Sequence, residues 1–497
     1  MVTKGGNGVQ LPAIALAKSG KNLFLTGGAG VGKSFTLKEI IKCTPGALIC
    51  APTGVAAQNI GGATLHSTFR IPVPLDTKKL KIEYVSNVLK KNEKTKKVLL
   101  GAHTLVIDEI SMCRSDVFDY VCNTLSVLRD EYNHEYQVIL CGDFCQLPPV
   151  VTDKDEKYME FHYPNNTEGF AFKTENWNKL NLSTIVLQKV FRQDNSAFSE
   201  ALNKIRFGDT DGLDYVINNS SKKEELTAIN ICTKNKVADN INNSEVNKLP
   251  GNCTIFNVEK TGKVESKDLR CLEILKLKEG ARVIFIANIN EEGCSAYNGE
   301  IGTVKKLDIN SVIVETDNGL QQVSRFEWQI QEYVFNEKEK QVELHEVGSY
   351  SQIPLKPAYA ITVHKSQGMT YESGNIRAGI DDFFTTGQLY VALSRVKSID
   401  KLFVNLELTP DNLQKLCLNH PDVVDFYKNI NIKKRNTVIQ SEKNIRKNKE
   451  PPIYKTKRDS KNNFVSFRLN DDDFNFLEGL CCKLSVSVNI LQNFFSG

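Results

Sequence analysis

The stretch LFLTGGAGVGKSFTLKEI, residues 23–40, places four glycines between an apolar run and an amphipathic run. Glycine costs stability in such a turn, so the backbone there is expected to approach another group closely. Residues 27–34 match the pattern G-x-x-x-x-G-K-[ST], in which backbone N–H groups wrap a phosphate at the start of a helix. The flanks read as a buried strand and a helix, which favours this interpretation over a chance glycine-rich turn.

The predicted nucleotide contacts follow from the chemistry of such a loop. Lys33 is expected to reach the β- and γ-phosphates, and the Ser34 hydroxyl to ligate Mg²⁺. The sequence therefore predicts binding of a nucleoside triphosphate. The loop residues assigned to it are Gly27, Gly28, Ala29, Gly30, Val31, Gly32, Lys33, Ser34 and Phe35.

Length and composition set broad limits. The 497 residues suffice for two to four domains, and 41% hydrophobic with 25% charged residues is ordinary for a soluble globular protein. No apolar run approaches the ~20 residues that span a bilayer, so no membrane contact is expected. The 13 cysteines, odd in number and scattered, favour a reducing intracellular compartment, nuclear or cytoplasmic, and buried thiols rather than a zinc site.

Charge is unevenly spread along the chain. The net charge is +4, but residues 433–461 hold eleven Lys/Arg and three Asp/Glu, a net +8 that leaves −4 for the remainder. Nucleic-acid affinity of the main body must then come from local patches rather than from its overall field.

Apolar strand-like runs alternate with helical patterns in two separate regions, which predicts two parallel-sheet α/β units. The first is expected to cover residues 1–190, and the second residues 191–290 and 355–430. Residues 291–354 alternate apolar and polar positions around an Asn-Gly hairpin signal, which predicts a small antiparallel insert. Residues 431–463 read as a basic linker, and 464–497 as a small C-terminal α/β segment.

Two further predicted strands end in polar residues. TLVIDEIS, residues 104–111, ends in Asp108, which can hold Mg²⁺ through water, and Glu109, which can orient and deprotonate the attacking water. A turn-capping acidic pair is the alternative. QVILCGDFCQLPPV, residues 137–150, contains Gln146, whose amide can donate to the γ-phosphate. The alternative there is a turn made rigid by the two prolines.

Seven segments in order make a family resemblance recognisable: GGAGVGKS, APTGVAAQNIGGATLHSTF, IDEISM, GDFCQLPPV, VFRQ, AITVHKSQGMTYE and GQLYVALSRVKS. The series resembles the superfamily 1B DNA helicases, most closely the PIF type (petite integration frequency), over about residues 8–408. It implies two RecA-like P-loop domains with small inserted domains, one a wedge near residues 70–97 and one an SH3-like antiparallel barrel, plus a basic C-terminal extension.

The resemblance implies an activity as well as a fold. ATP would lie between the RecA-like domains and single-stranded or forked DNA across their top, with 5′-to-3′ translocation and duplex unwinding in replication, repair or recombination. Gln10 falls where the family places a glutamine that recognises adenine, and Gln367 and Gly368 link DNA to the nucleotide. Arg192 and Arg395 match its arginine fingers, whose planar guanidinium suits the charge on a transferring phosphoryl group.

The resemblance also implies DNA contacts in both domains. Hydroxyls and imidazoles can contact the backbone, and an aromatic ring can stack on bases, although a ring in this pattern can equally be part of the core. The Lys-rich run before residue 104 flanks the wedge or is a solvated helix face. The predicted DNA contacts are Pro52, Thr53, Thr64, His66, Phe69, Thr362 and His364.

Several alternatives stay open on the sequence alone. The same motor could track RNA, or the chain could be a DNA-binding assembly factor that uses ATP as a switch. The motor is expected to be monomeric. The C-terminal segment favours either a terminal helix packed on the motor or a ribbon-helix-helix module, which would dimerise and present Ser466 and Arg468 to DNA.

Overall fold

The computed structural model describes residues 11–73, 75–193, 195–225, 228–266, 269–336, 339, 341–378, 383, 385–406 and 419–430. Three predictions lie outside these residues: the adenine contact of Gln10, the basic linker 431–463 and the C-terminal segment 464–497 with its dimerisation. Among the described helices, none is both long and apolar enough to cross a membrane.

A six-stranded, fully parallel sheet forms the first unit. Its four central strands are largely buried on both faces and therefore read as nearly continuous apolar runs. The spatial order is β3-β2-β4-β5-β1-β6, so β1 lies between β5 and β6. The strands are β1 (Leu23–Gly27), β2 (Leu48–Ala51), β3 (Ala63–Thr64), β4 (Thr104–Ile107), β5 (Gln137–Cys141) and β6 (Ser183–Leu187).

Helices cover both faces of this sheet. Side chains alternate along each strand, so Leu23 and Leu25 pack with the first two helices, whereas Phe24 packs with the eighth. The helices are α1 (Leu11–Lys18), α2 (Lys33–Lys42), α3 (Gly54–Asn59), α4 (Leu65–Phe69), α5 (Thr77–Leu80), α6 (Ile82–Lys91), α7 (Glu93–Leu100), α8 (Ser115–Tyr132), α9 (Asp153–His162) and α10 (Glu175–Lys179).

The second unit is interrupted by a long antiparallel insert. It begins with α11 (Ser196–Arg206), α12 (Thr210–Asn219), β7 (Ile229–Cys232) and α13 (Asn235–Lys248). The insert contains β8 (Thr254–Asn257), β9 (Glu259–Gly262), β10 (Ile274–Leu277), β11 (Arg282–Phe285), β12 (Ile289–Glu291), β13 (Cys294–Ala296), β14 (Ile301–Leu307), β15 (Ser311–Thr316), β16 (Gly319–Ser324), β17 (Phe326–Asn336), β18 (Gln341–Gln352) and β19 (Leu355–Pro357). The unit then resumes with β20 (Ala360–Thr362), β21 (Gly374–Ala378), α14 (Gln388–Leu393) and β22 (Leu402–Leu406).

The second sheet is also parallel, in the order β20-β7-β21-β22. The α/β class and the parallel sheets are therefore confirmed. The antiparallel region begins at Thr254 rather than near residue 291, because β8 pairs with β10, and β9 pairs with β18, before the predicted boundary. Its largest sheet has five strands, in the order β16-β15-β14-β11-β19.

Two later segments return to the first unit. The β17–β18 hairpin reaches β2, where the Tyr333 hydroxyl accepts from the Ile49 N–H at 2.7 Å and donates to its carbonyl at 3.2 Å. Residues 421–430 are helical, and Val423 and Tyr427 are buried in the first unit's core. This helix was assigned by sequence to the second unit, but its apolar face packs against the first.

Candidate active site

The phosphate loop joins β1 to α2 at the carboxyl edge of the first sheet. Gly27, Gly30 and Gly32 have φ values of 149°, 73° and 84°, which side chains rarely adopt. A Cβ on Gly27 would lie 2.4 Å from the Leu187 carbonyl oxygen. Gly32, the N-cap of α2, offers no side-chain acceptor, so the first amides of the helix are available to an anion.

Some side chains of the phosphate loop are buried and hold it in place, whereas others are exposed to solvent. Val31 is buried under the loop, whereas Ser34 and Phe35 are exposed on the first turn of α2, Phe35 by 52%. Lys33 Nζ donates to the carbonyl oxygens of Gly27 and Gly28, each at 2.8 Å. Burial lowers the pKa of Lys33, while two neighbouring carboxylates oppose that effect.

Asp108 and Glu109 follow β4, close to the phosphate loop. Asp108 is buried and accepts the Glu109 N–H at 2.9 Å, and burial raises the pKa of its carboxyl. Glu109 has φ 50°, a left-handed conformation that costs of order 1–3 kcal/mol in a non-glycine residue. Burial, with Asp108 beside it, raises the pKa of Glu109 to about 7.

Gln146 lies after β5, at the same edge of the sheet. It is buried, and its amide Nε2 donates to Asp143 Oδ2 at 3.4 Å. The N-terminus of α14, from the second unit, presses on this turn: a Cβ on Gly387 would lie 2.5 Å from the Gln146 carbonyl oxygen and 2.6 Å from that of Cys145. The two units are therefore in direct contact beside the phosphate loop.

Arg192, in the segment between β6 and α11, and Arg395, just after α14, also lie at this site. The Arg192 backbone packs so tightly on the loop that a Cβ on Gly30 would lie 2.6 Å from Arg192 Cβ. Arg395 is 2% exposed, and Glu109 is near enough to oppose the lowering of its pKa by burial. Burial, followed by the charge of Arg395, lowers the pKa of Arg192.

Gln367 and Tyr390 link the second unit to the site directly. Gln367 Nε2 donates to Glu109 Oε2 at 3.2 Å, in a turn whose next residue, Gly368, has φ 80°. The Tyr390 hydroxyl accepts the N–H of Ala29 in the phosphate loop at 2.6 Å.

The residues predicted to contact DNA differ in how far they are buried. Pro52, Thr53 and Thr64 are half-buried at the carboxyl ends of β2 and β3, and His66 and His364 are also half-buried. Burial lowers the pKa of His364.

Two of the predicted DNA contacts are corrected by the structure. Phe69 is 1% exposed in the core of the first unit, so it offers no stacking surface. Thr362 is 3% exposed, and its hydroxyl accepts the Lys365 N–H at 3.4 Å, which caps the turn.

Four residues at the site were not singled out from the sequence: Asp143, Arg206, Tyr390 and Tyr427. Asp143 and Tyr390 lie inside recognised motifs, so their proximity to the loop could have been inferred. Arg206 and Tyr427 gave only one weak signal, a polar group beside the apolar face of a helix. Their partners lie 63 and 401 residues away along the chain.

Comparisons with known proteins point to one family. The sequence model of the PIF1-like helicase family matches residues 10–214. A Campylobacter jejuni protein named ATP-dependent DNA helicase Pif1 is 33% identical over 447 residues, covering 82% of this chain and 95% of the relative. The human ATP-dependent DNA helicase PIF1 is 31% identical over 436 residues, but the chain spans only 63% of its length.

Solved structures give the same result. The crystal structure of Bacteroides sp Pif1 in complex with ADP-AlF4 superposes with a TM-score of 0.74 at 30% identity, over 86% of this chain and 97% of that one. The structure of Bacteroides Pif1 bound to ssDNA gives 0.58 at 30% identity, over 87% and 98%. With a shared parallel-sheet fold and a relative matched along nearly its whole length, the chain belongs to the PIF1-like helicase family.

Proposed function

We propose that this chain is an ATP-dependent DNA helicase that moves 5′-to-3′ along single-stranded DNA and unwinds duplexes during replication, repair or recombination. Membership of the PIF1-like family supports the activity, and its relatives are named as ATP-dependent DNA helicases. The polarity is the one characteristic of the family.

The observation that carries the proposal is a pair of neighbouring arginines, of which Arg192 packs on the phosphate loop and Arg395 lies close to Glu109. Among the described residues, the hydrogen bonds of Arg192 and Arg395 go to backbone carbonyls and the Ser394 hydroxyl, and none goes to a carboxylate. Two neighbouring guanidinium groups that make no hydrogen bond to a carboxylate among the described residues favour an anion beside them. A triphosphate supplies that anion, and both arginines can stabilise charge on the γ-phosphoryl group during transfer.

The remaining catalytic roles are assigned by position. Lys33 binds the β- and γ-phosphates once its amine leaves the two loop carbonyls. Glu109 orients the attacking water and accepts its proton, and Gln146 donates its amide to the γ-phosphate. The Gln367–Glu109 hydrogen bond couples the second unit to the proton acceptor. Hydrolysis therefore depends on the two units staying in contact.

The site also fits Mg²⁺. The Ser34 hydroxyl and the Asp108 carboxylate are hard oxygen donors, the kind this ion prefers. Burial raises the pKa of Asp108, and a cation beside the carboxyl would keep it ionised. When bound, Mg²⁺ neutralises charge on the β- and γ-phosphates.

The DNA track is proposed to run over the carboxyl ends of the outer strands. Pro52, Thr53 and Thr64 contribute from the ends of β2 and β3. His66 extends the track within the first unit, and His364 extends it onto the second unit. Hydroxyl and imidazole groups suit contacts to the DNA backbone, which read no sequence. Bound substrates would be single strands and forks.

The domain roles stay close to those expected from sequence. We propose RecA-like domains for the two parallel-sheet units, a wedge for α5–α7 and an SH3-like fold for part of the antiparallel insert. Residues 431–463 and 464–497 are proposed as a basic linker and a DNA- or partner-binding segment. The motor is proposed to act as a monomer.

Two other functions are less well supported. An RNA translocase would use the same motor, but the similar proteins are named as DNA helicases. An assembly factor switched by ATP would not need a complete set of hydrolytic residues. Comparing the stimulation of ATPase activity by matched DNA and RNA oligonucleotides distinguishes an RNA translocase from a DNA helicase. A strand-displacement assay distinguishes an assembly factor, which would not unwind a duplex.

The central test is Lys33→Ala. Because Lys33 is half-buried and its amine bonds to carbonyl oxygens of its own loop, the variant should fold. Its DNA-stimulated ATPase should nevertheless fall at least ~100-fold, as when a hydrogen-bond donor to developing negative charge is removed. Unwinding of a fork with a 5′ tail should be lost in parallel, while a fork with only a 3′ tail should not be unwound even by the unaltered chain.

Lys42→Ala is the matched control, since Lys42 lies at the end of the same helix, is exposed, and pairs with Glu39 on the surface. Its ATPase should equal that of the unaltered chain. Retained DNA-stimulated hydrolysis in Lys33→Ala would show that the nucleotide site lies elsewhere.

A further inference from the structure

A buried ion pair joins the two units beside the phosphate loop. Arg206, the last residue of α11, donates from Nε to Asp143 Oδ2 at 3.2 Å and from Nη2 to Oδ1 at 2.8 Å. Arg206 is 5% exposed and Asp143 is fully buried. Such a bidentate ion pair fixes both side chains in one geometry.

The pair lies against the loop itself. A Cβ on Gly28 would lie 3.9 Å from Arg206 Nε, and Lys33 donates to the Gly28 carbonyl oxygen. Asp143 raises the pKa of Lys33 and Arg206 lowers it, after the larger effect of burial. Both charges therefore act where the phosphates would bind.

Further contacts hold Asp143 in place. Its Oδ1 accepts the Cys145 N–H at 3.2 Å and the Tyr427 hydroxyl at 3.1 Å, and its Oδ2 accepts from Gln146. The Arg206 guanidinium also stacks over the Tyr427 ring, 4.9 Å from its centroid. The carboxylate cannot turn away from Arg206 without breaking these bonds.

We propose that Asp143 masks the positive charge of Arg206 at the phosphate loop, and that this pair sets how tightly the loop holds nucleotide. The inference rests on the nucleotide site proposed above. A free guanidinium beside the β-phosphate would strengthen binding of ATP and ADP alike, which slows product release without helping the transition state. A free carboxylate would repel the phosphates and compete for the Lys33 amine.

This mechanism predicts opposite effects for the two partners. Asp143→Asn unmasks Arg206, so the Kd of a fluorescent ADP analogue with Mg²⁺ should fall by at least about threefold. Arg206→Gln leaves a bare carboxylate, and the Kd should rise about tenfold, a factor equal to ~1.4 kcal/mol. The double variant removes both charges and should return to within about twofold of the unaltered chain.

A structural role would give a different pattern. If both single variants weaken ADP binding and their losses add in the double variant, the inference is overturned. Thermal unfolding of each chain identifies a variant that does not fold. Should Arg206→Gln not fold, Arg206→Lys keeps the charge and should bind ADP within about threefold of the unaltered chain, whereas a tenfold loss there would overturn the inference.

The matched control is a second bidentate ion pair, which lies in the first unit. Arg114 donates to Asp116 through Nε and Nη2, each at 2.8 Å, and Asp116 is fully buried. Arg114→Gln and Asp116→Asn should leave the Kd for the ADP analogue unchanged.

Lys33→Ala in the same titration separates the two proposals. If that variant binds and hydrolyses normally, the nucleotide site itself is misassigned. If it loses hydrolysis while the Asp143 and Arg206 variants shift the Kd in one common direction, only the masking inference fails.

Discussion

Two unfavourable features coincide at Glu109: its backbone is left-handed, and the pKa of its buried carboxyl group is raised to about 7. Its φ of 50° turns the side chain from the end of β4 toward Gln367 of the second unit. Strained residues of this kind persist where the surrounding structure determines them, and they concentrate at functional sites. The position suits a proton acceptor that must face the cleft.

The raised pKa of Glu109 gives a pH prediction. Because burial and Asp108 raise it to about 7, the carboxyl is largely protonated at pH 6 and cannot accept a proton from water. The kcat/KM for ATP should therefore rise about tenfold per pH unit below pH 7 and level off above it. Steady-state ATPase assays across pH 5.5–8.5 measure this directly.

Glu109→Gln is the control for that profile, since it removes the titrating group and should give a low, nearly flat rate. An acid limb centred near the ordinary carboxyl value, well below pH 6, would contradict the assignment of Glu109 as the proton acceptor.

For single residues, the sequence indicated positions set by a short motif but not contacts between residues far apart along the chain. Lys33 and Glu109 could be placed at one edge of the sheet because each follows a strand within one short motif. Phe69 was misplaced, because an aromatic residue in a short motif can face either the core or solvent. Arg206 could not be paired with Asp143, since nothing local marks a contact between units.

At the scale of elements, α14 is positioned by the absence of a side chain at its N-cap. Gly387 has φ 75°, and its Cα lies against the carbonyl oxygens of Cys145 and Gln146. Helix α14 also carries Tyr390, which contacts the phosphate loop, and it precedes Arg395. The close approach therefore sets the distance of several functional groups from the nucleotide site.

Gly387→Ala should push α14 away from the Gln146 turn and lower kcat about tenfold or more, as expected when catalytic groups move by about 1 Å. Gly46→Ala is the matched control: Gly46 has a similar φ of 74°, but a Cβ there meets nothing within 4 Å. Both variants bear the strain of a positive φ, so ATPase assays at matched stability isolate the clash. Equal rates in the two would show that the contact does not position α14.

The elements themselves were predicted unevenly. β1, β4 and β5 were predicted because buried parallel strands are continuous apolar runs. β21 was missed, since Gly374–Ala378 contains a glycine, an asparagine and an arginine. The start of the antiparallel insert was placed too late, because β8–β10 are short and largely exposed and resemble loops in sequence.

For the whole molecule, the helix at 421–430 ties the end of the described chain to its beginning. The Tyr427 hydroxyl hydrogen-bonds with Thr26 of β1 at 2.8 Å, accepts the Phe144 N–H at 3.2 Å, and donates to Asp143. Two parallel-sheet units could be predicted from sequence, but this return could not, since the amphipathic pattern does not say which core a helix covers.

Tyr427→Phe keeps the ring and removes the hydroxyl, which leaves buried polar groups without a partner. We expect a loss of about 2–3 kcal/mol in the free energy of unfolding, measured by urea titration of the full chain. Tyr163→Phe is the comparison, because among the described residues the Tyr163 hydroxyl makes one hydrogen bond, to Asp119 at 2.9 Å. Its loss should cost about 1 kcal/mol. Equal losses in the two variants would argue against Tyr427 as a tie between distant parts of the chain.

The same tie has a consequence for biosynthesis. Chains emerge from the ribosome at roughly 5–20 residues per second and usually fold domain by domain from the N-terminus. Here Thr26 must wait for a partner made 401 residues later, and the side of the first core lined by Val423 and Tyr427 stays open until then. The nascent first unit, whose last strand ends at Leu187, therefore exposes apolar surface while about 240 further residues are made, and chaperones can bind that surface until Tyr427 has emerged.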